Sequence, residues 1–312
     1  MRAVIVREFG GPEALEIAEV PVPEPGRGQV RITVAAAAVQ PVDVATRAGA
    51  MNALGEGVLG SWPQTGIGWD VAGTVDAAGE GVTGFAAGDA VIGLRDRLDQ
   101  PTGTYADQIV LDAADVALVP AGLDLTAAAT LPLNGLTAVQ GLDALGLTAG
   151  QTVLVTGAAG ALGGYGVQLA ALRGLRVIAA AGADDEDLVR GLGAEFFVPR
   201  SAHLATAVRD LVPGGADAAF DAAVLGYPAL DAVRGGGAFA AFVGSGPAAL
   251  RGIRVEAVHI RADGRALASL AALAGTGRIS LRVAGSYPLE EAAQAQERLA
   301  KGGLRGRLVL VP

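Results

Sequence analysis

Gly157-Ala-Ala-Gly160-Ala-Leu-Gly163-Gly164 follows the apolar run Thr152–Thr156 and opens a helical pattern that continues to Arg173. Small residues between a strand and a helix suit dinucleotide chemistry. The glycines allow a tight turn and a close approach of backbone to a pyrophosphate, and the helix start turns free N–H groups toward the anion. Against the G-x-G-x-x-G fingerprint the three positions are Ala158, Gly160 and Gly163, with Ala159, Ala161 and Leu162 between them, so alanine replaces the first glycine. In a chain holding 47 glycines such a cluster alone is weak, and a plain βα turn would use the same residues. The strand before it and the helix after it are what point to a cofactor.

Cofactor selectivity is read at the end of the next strand. A site for NAD places an acidic residue there for the ribose hydroxyls, whereas this chain reads Ala179-Ala-Ala181-Gly182-Ala183, with no carboxylate before Asp184. Ala181 and Gly182 leave room for a 2′-phosphate, and Arg200, after the third strand, is either its guanidinium partner or a solvated surface residue. The expected cofactor is NADPH. Asp184, Asp185, Glu186 and Asp187 are read as charging the start of the following helix.

Composition closes other chemistries. The 312 residues include no Cys, two His and a single Lys, Lys301, so the other 22 basic residues are Arg. Thiol nucleophiles, Cys-ligated metals and His-rich clusters are excluded, and Lys301-Gly302 cannot end a Walker-type phosphate loop. A formal charge of −9 with scattered arginines argues against a nucleic-acid partner. No run reaches the ~20 apolar residues of a membrane span, and the apolar residues 2–6 stop at Arg7-Glu8. A soluble cytoplasmic protein is expected. With 51% hydrophobic and 18% charged residues there is ample core for roughly two domains of ~150 residues each.

The elements that must hold these residues show two textures. Before about residue 120, short alternating or apolar runs broken by Gly and Pro predict strands at 3–6, 15–20, 30–36, 71–77, 90–93, 105–111 and 116–119. Beyond it, strand and helix patterns alternate as in a parallel sheet, with strands at Thr152–Thr156, 175–180, 195–198, 216–220, 238–243 and 254–260. Helices are predicted at 161–173, 184–192 and 289–300, the last stopping at Gly302-Gly303 before a strand at Arg307–Val311. The loop 51–62, with Met51, Leu54, Leu59 and Trp62, is either a substrate lid or a buried connector.

Several further motifs occur in order: Met1-Arg-Ala-Val-Ile-Val6, Gly68-Trp69-Asp70-Val-Ala-Gly-Thr-Val75, Gly79-Glu-Gly-Val-Thr-Gly-Phe-Ala-Ala-Gly-Asp89, Leu131-Pro-Leu-Asn134-Gly-Leu-Thr137 and Leu304-Arg-Gly-Arg-Leu-Val-Leu310. With the glycine turn they make the chain resemble, over essentially its whole length, the zinc-free medium-chain dehydrogenase/reductases of the quinone oxidoreductase (zeta-crystallin-like) type. The resemblance implies an α/β fold class: a GroES-like β-rich catalytic domain over 1–119 and 263–312, and a Rossmann doubly wound parallel sheet domain binding NADPH over 120–262. It also implies a homodimer through the segment 254–260. Zinc-dependent relatives place a histidine ligand in Gly-His-Glu where this chain has Gly68-Trp69-Asp70, and indole has no lone pair for zinc. No metal is therefore expected. Short-chain dehydrogenase chemistry is dismissed as well, since Glu297, not Tyr, stands four residues before the only Lys.

What the resemblance implies is hydride transfer from NADPH to a quinone or to the β-carbon of an α,β-unsaturated carbonyl, with the protein supplying orientation, a dry pocket and hydrogen bonds to the developing oxyanion. Gln40 and Asp43, in Val39-Gln-Pro-Val-Asp43, match the family's Asn-x-x-Asp motif and are the expected catalytic pair, Gln40 as an amide donor. Pro41 stands where some relatives carry a tyrosine proton donor, so water is the expected proton source. Tyr105 is read first as strand packing and second as a hydroxyl reaching the site. Trp62, Trp69, Tyr105 and Asn134 are expected to line the substrate pocket, Thr137 to approach the cofactor, and Val243, Gly244 and Ser245 to meet the nicotinamide. His259 is read as structural before catalytic, and His203 as a helix-start surface residue. Two other readings stand beside the reductase: a biosynthetic tailoring enoyl reductase or cyclase, and a non-catalytic NADPH-binding sensor or interaction protein.

Overall fold

The computed structural model describes the backbone of residues 1–54 and 58–312, and the side chains of these apart from 53 and 54. The loop expected over 51–62 thus lies partly outside the described residues. The chain divides into two units, Met1–Leu133 with Arg261–Pro312, and Asn134–Ile260. The division falls after Leu133 rather than at about 120, because the short helix Leu125–Ala128 packs on strands of the first unit and the Leu133 N–H bonds a carboxylate there.

In the first unit Gln29–Ala38 is the central strand of a seven-stranded sheet. It pairs antiparallel with Asp70–Ala78, Gln108–Asp112 and the strand Arg307–Val311, while Arg2–Val6 lies in a separate three-stranded sheet. The burial of Gln29–Ala38 alternates along most of its length, as expected for a strand with one face on the core. The predicted strand 105–111 begins only at Gln108. Tyr105 sits before it, where its carbonyl accepts the Val4 N–H at 2.8 Å. The strand Val283–Pro288 was not legible as an apolar run: it holds Gly, Ser and Pro, and is ordered by pairing parallel to Arg307–Val311.

The second unit is a six-stranded sheet, parallel at every pairing. Its spatial order is Phe196–Pro199, Arg176–Ala181, Thr152–Thr156, Ala216–Asp221, Val233–Ala241 and Arg254–Ala257. Numbered within the unit this is 3-2-1-4-5-6, the doubly wound dinucleotide topology, whose order reverses between Thr152–Thr156 and Ala216–Asp221. Thr152–Thr156 is buried at every residue, as a strand covered on both faces must be. The strand predicted at 238–243 ends at Ala241, so Val243 lies in the loop beyond it. The predicted strand 254–260 ends at Ala257.

Candidate active site

The glycine turn sits at the switch point of the parallel sheet. Thr152–Thr156 ends on it and the twelve-residue helix Ala161–Leu172 leaves from it, with Gly160 as the extended N-cap. The N–H groups of Ala161, Leu162 and Gly163 occupy the first helical turn, where no carbonyl earlier in the helix can accept them. Gly157, not the following residue, adopts the left-handed conformation, with φ 59°. That explains why Ala158 is tolerated at the first fingerprint position: it is buried, its N–H bonds the Ala180 carbonyl at 3.1 Å, and the turn's conformational demand falls one residue earlier. At Gly163 a Cβ would stand 2.2 Å from the Gly157 carbonyl oxygen. Turn and helix approach too closely for any other residue, which is the close backbone cradle that a pyrophosphate site requires. Ala159 and Ala161 are buried beside it.

The far side of the turn is fastened by residues that sequence reasoning missed. Thr156 donates its hydroxyl to Asp221 Oδ1 at 2.6 Å and accepts the Ala223 N–H, while Asp221 Oδ2 accepts the Gly226 N–H. Asp221 closes one strand and Thr156 its neighbour, so a Thr and an Asp ending two apolar runs were the available signal. Beyond them Val243, Gly244 and Ser245 line a hollow with Asp221, Val224 and Tyr227. Val243 is 65% exposed and Gly244 has φ 62°.

Ala181 ends the strand Arg176–Ala181 and Gly182 caps the following turn. The backbone N–H of Arg200 bonds the Ala181 carbonyl at 2.7 Å, which sets the exposed Arg200 beside Ala181 and Gly182 at the carboxyl edge of the sheet. The buried Asn134 and Thr137 lie on the helix Pro132–Leu145. His203 caps the helix Leu204–Leu211, its Nδ1 accepting from the Thr206 N–H, and His259 is exposed beyond the last strand.

The first unit holds a second constellation where Gln29–Ala38 gives way to the helix Pro41–Arg47. Gln40 is its N-cap and Asp43 its third residue; Asp43 Oδ2 accepts the Gln40 N–H at 2.7 Å and the Tyr105 hydroxyl at 2.8 Å. Tyr105 thus packs in the core of the first unit, as first read, and its hydroxyl also meets Asp43. Gln40 Nε2 donates to Asp70 Oδ2 at 2.7 Å, and Asp70 Oδ1 accepts the Leu133 N–H at 2.6 Å. The expectation of Gln40 as a plain donor is thus altered, since that nitrogen is engaged. Asp70 went unrecognised because Gly68-Trp69-Asp70 was read only for its missing histidine; an acid directly before the buried run Val71–Gly73 was the signal. Trp69 is buried next to Asp70, but Trp62 is 51% exposed with its indole N–H on the Asp99 carbonyl, and it does not join the cluster.

All four side chains of the network are fully buried. Burial pushes the Asp43 carboxyl up to about 7, aided by the neighbouring Asp70 and opposed by its hydrogen bonds and by Arg307. Burial does the same to Asp70, also to about 7. Burial, then the Asp43 charge, holds the Tyr105 phenol well above its ordinary value, so it stays a neutral donor. Burial lowers the Arg95 guanidinium to about 10 against the pull of Asp43. Six buried side-chain atoms have no hydrogen-bond partner among the described residues, and all belong to this neighbourhood: Gln40 Oε1, Asp43 Oδ1, Trp69 Nε1, Arg95 Nε, Thr104 Oγ1 and Gln296 Nε2. Unsatisfied buried polar groups are rare, so their concentration marks a place built for polar contact with something else. No described group of three His, Cys, Asp or Glu could hold a metal.

Residues 26–121 match the alcohol dehydrogenase GroES-like domain family and residues 192–310 the zinc-binding dehydrogenase family. The chain is 30% identical, over 100% of its length and 80% of the other's, to the chloroplastic NADPH-dependent alkenal/one oxidoreductase of Arabidopsis thaliana. It superposes with a TM-score of 0.86 and 26% identity on the quinone oxidoreductase of Coxiella burnetii, covering 100% of this chain and 99% of that one. A mycobacterial protein solved with NADPH gives a TM-score of 0.84 and 28% identity, with both chains fully covered.

Proposed function

The chain belongs to the quinone oxidoreductase branch of the medium-chain dehydrogenase/reductases, and from that premise we propose that it reduces a quinone or an activated alkene with NADPH and without a metal. The observation that carries the cofactor is the Gly157–Gly163 cradle at the switch point of a 3-2-1-4-5-6 parallel sheet. When bound, NADPH supplies the hydride. The residues of the chain bind and orient: the helix start at Ala161–Gly163 receives the pyrophosphate, and Val243, Gly244 and Ser245 border the nicotinamide. Gln40 and Asp43 hold the reacting groups, with Asp70 behind Gln40 and Tyr105 behind Asp43. Because the Tyr105 hydroxyl is committed to Asp43, water remains the source of the proton that completes the reduction. Freedom from zinc is supported by the residue types: the chain has no cysteine, and Trp69 stands at the position of the relatives' histidine ligand.

Anaerobic mixing with NADPH and a panel of quinones and enones tests this reading. Loss of absorbance at 340 nm with at least one acceptor is expected; tight NADPH binding with no oxidation by any of them would leave the non-catalytic reading in its place. For selectivity, Arg200→Glu is expected to weaken NADPH about tenfold or more, the worth of one charge-assisted phosphate contact, while leaving NADH unchanged. Equal weakening of both cofactors removes Arg200 from the phosphate site. Arg254–Ala257 is an edge strand with its outer backbone groups unpaired in the sheet, and we place a homodimer contact there, to be checked by light scattering. No helix among the described residues is long and apolar enough to cross a membrane; a cytoplasmic location accords with a chain that has no thiols.

A further inference from the structure

We infer that Thr156 and Asp221 are positioning residues for the nicotinamide half of the cofactor: they hold the turn 222–226 in a strained shape that sets the Val224 side chain in the wall of the hollow lined by Val243, Gly244 and Ser245. The inference rests on the reading above that these last three residues border the nicotinamide. Every residue it invokes belongs to the second unit.

The turn leaves the strand Ala216–Asp221 and runs into the short helix Tyr227–Asp231, outside every strand, so its N–H groups must find acceptors elsewhere. Three of them find the same two residues. The Ala223 N–H goes to Thr156 Oγ1 at 2.9 Å, the Val224 N–H to the Asp221 main-chain carbonyl at 3.2 Å and the Gly226 N–H to Asp221 Oδ2 at 2.8 Å. A hydroxyl has one proton and two lone pairs; Thr156 gives the proton to Asp221 Oδ1 at 2.6 Å and keeps a lone pair for Ala223. Thr156 is wholly buried and Asp221 nearly so. The turn also seats on the phosphate cradle, since a Cβ added at Gly157 would stand 3.3 Å from both the N and the Cβ of Ala223. Thr156 thus carries the glycine turn on its main chain and the wall of the hollow on its hydroxyl, and so fixes one relative to the other.

Val224 shows what this latch holds. Its φ is 55°, a left-handed conformation that β-branched residues avoid and glycine adopts without strain, yet the side chain is 55% exposed in a hollow of about 470 Å³. Core packing therefore does not account for a valine there. Strain of this kind persists where surrounding bonds over-determine it, and it clusters at ligand clamps. Val243, 65% exposed, lines the same hollow, and two exposed valines suit the face of a flat ring rather than a charged group.

Calorimetric titration with NADP⁺ and with 2′,5′-ADP, which carries the adenosine and its phosphates but no nicotinamide, separates the two halves of the site. Thr156→Val, which loses both bonds of the hydroxyl, is expected to bind NADP⁺ about tenfold more weakly and 2′,5′-ADP as wild type does. Thr156→Ser keeps the hydroxyl and should restore the affinity. Val224→Gly relieves the left-handed strain, so its melting temperature should hold or rise, while NADP⁺ again binds about tenfold more weakly for want of the valine contact. A fall in affinity without a fall in stability is not what a merely structural role produces, and this variant decides the matter should Thr156→Val fail to fold. Both ligands weakened alike, or neither weakened, overturns the inference and leaves the cofactor reading standing. Wild type that binds neither ligand sinks the cofactor reading and the inference with it.

Discussion

Replacing Gly163 with valine is expected to lower NADPH affinity more than a hundredfold, about 3 kcal/mol. A Cβ at that position lands 2.2 Å from the Gly157 carbonyl oxygen, 2.6 Å from its carbon and 3.0 Å from the Ala158 Cα. All three are backbone atoms of the turn itself, so no side chain can swing away, and the helix Ala161–Leu172 must lift from the strand end that aims it. Overpacking of this kind also costs stability, typically 1–3 kcal/mol, so calorimetric titration should be run well below the melting temperature of the variant. Gly191 supplies the control, because a Cβ there meets nothing within 4 Å. Gly191→Ala should leave the dissociation constant where it was. An unchanged affinity in Gly163→Val would move the pyrophosphate away from this turn.

The second large effect concerns pH. Asp43 and Asp70 are both held up to about 7 by burial, against 3.8 for a free carboxyl. A carboxyl whose pKa is raised on folding keeps its proton longer in the native state. Between roughly pH 4 and 7 the folded chain therefore binds more protons than the unfolded one, and stability falls as pH rises through that window, then levels off. Denaturant melts should show a loss between about pH 4 and pH 8, on the order of 4 kcal/mol for each of the two carboxyls. Asp43→Asn keeps an acceptor for the Gln40 N–H and the Tyr105 hydroxyl but cannot ionise. It should flatten the slope and be more stable than wild type at about pH 8. Asp43→Ala should be less stable at every pH, by about 2–5 kcal/mol, because it leaves two buried donors unpaired. A wild-type profile that rises with pH over the same range would show that neither carboxyl is held protonated.

The fold was legible wherever burial imposes a period. Thr152–Thr156 and the helix after it were readable because every residue of that strand is covered, and Arg307–Val311 because its inward residues are all apolar. Val283–Pro288 was not readable, since its order comes from a neighbouring strand rather than from its own side chains. At the site, the glycine turn could be placed but not phased: only coordinates assign the positive φ to Gly157 and free Ala158 from it. Gln40 and Asp43 stand close in sequence and could be named from a motif. Asp70 and Tyr105 are 30 and 62 residues from their partners, and such pairings belong to tertiary packing, which no local pattern encodes.

The lone lysine has a practical use. Lys301 is exposed just after the helix Ala292–Ala300, and it is the one lysine among the 312 residues. An amine-reactive dye should therefore have one lysine to mark, on the first unit, with no engineering. With no cysteine in the chain, one introduced on an exposed face of the second unit would be the sole thiol and would accept a second dye orthogonally. The sequence thus comes prepared for attaching two different labels at two chosen points without removing any native residue.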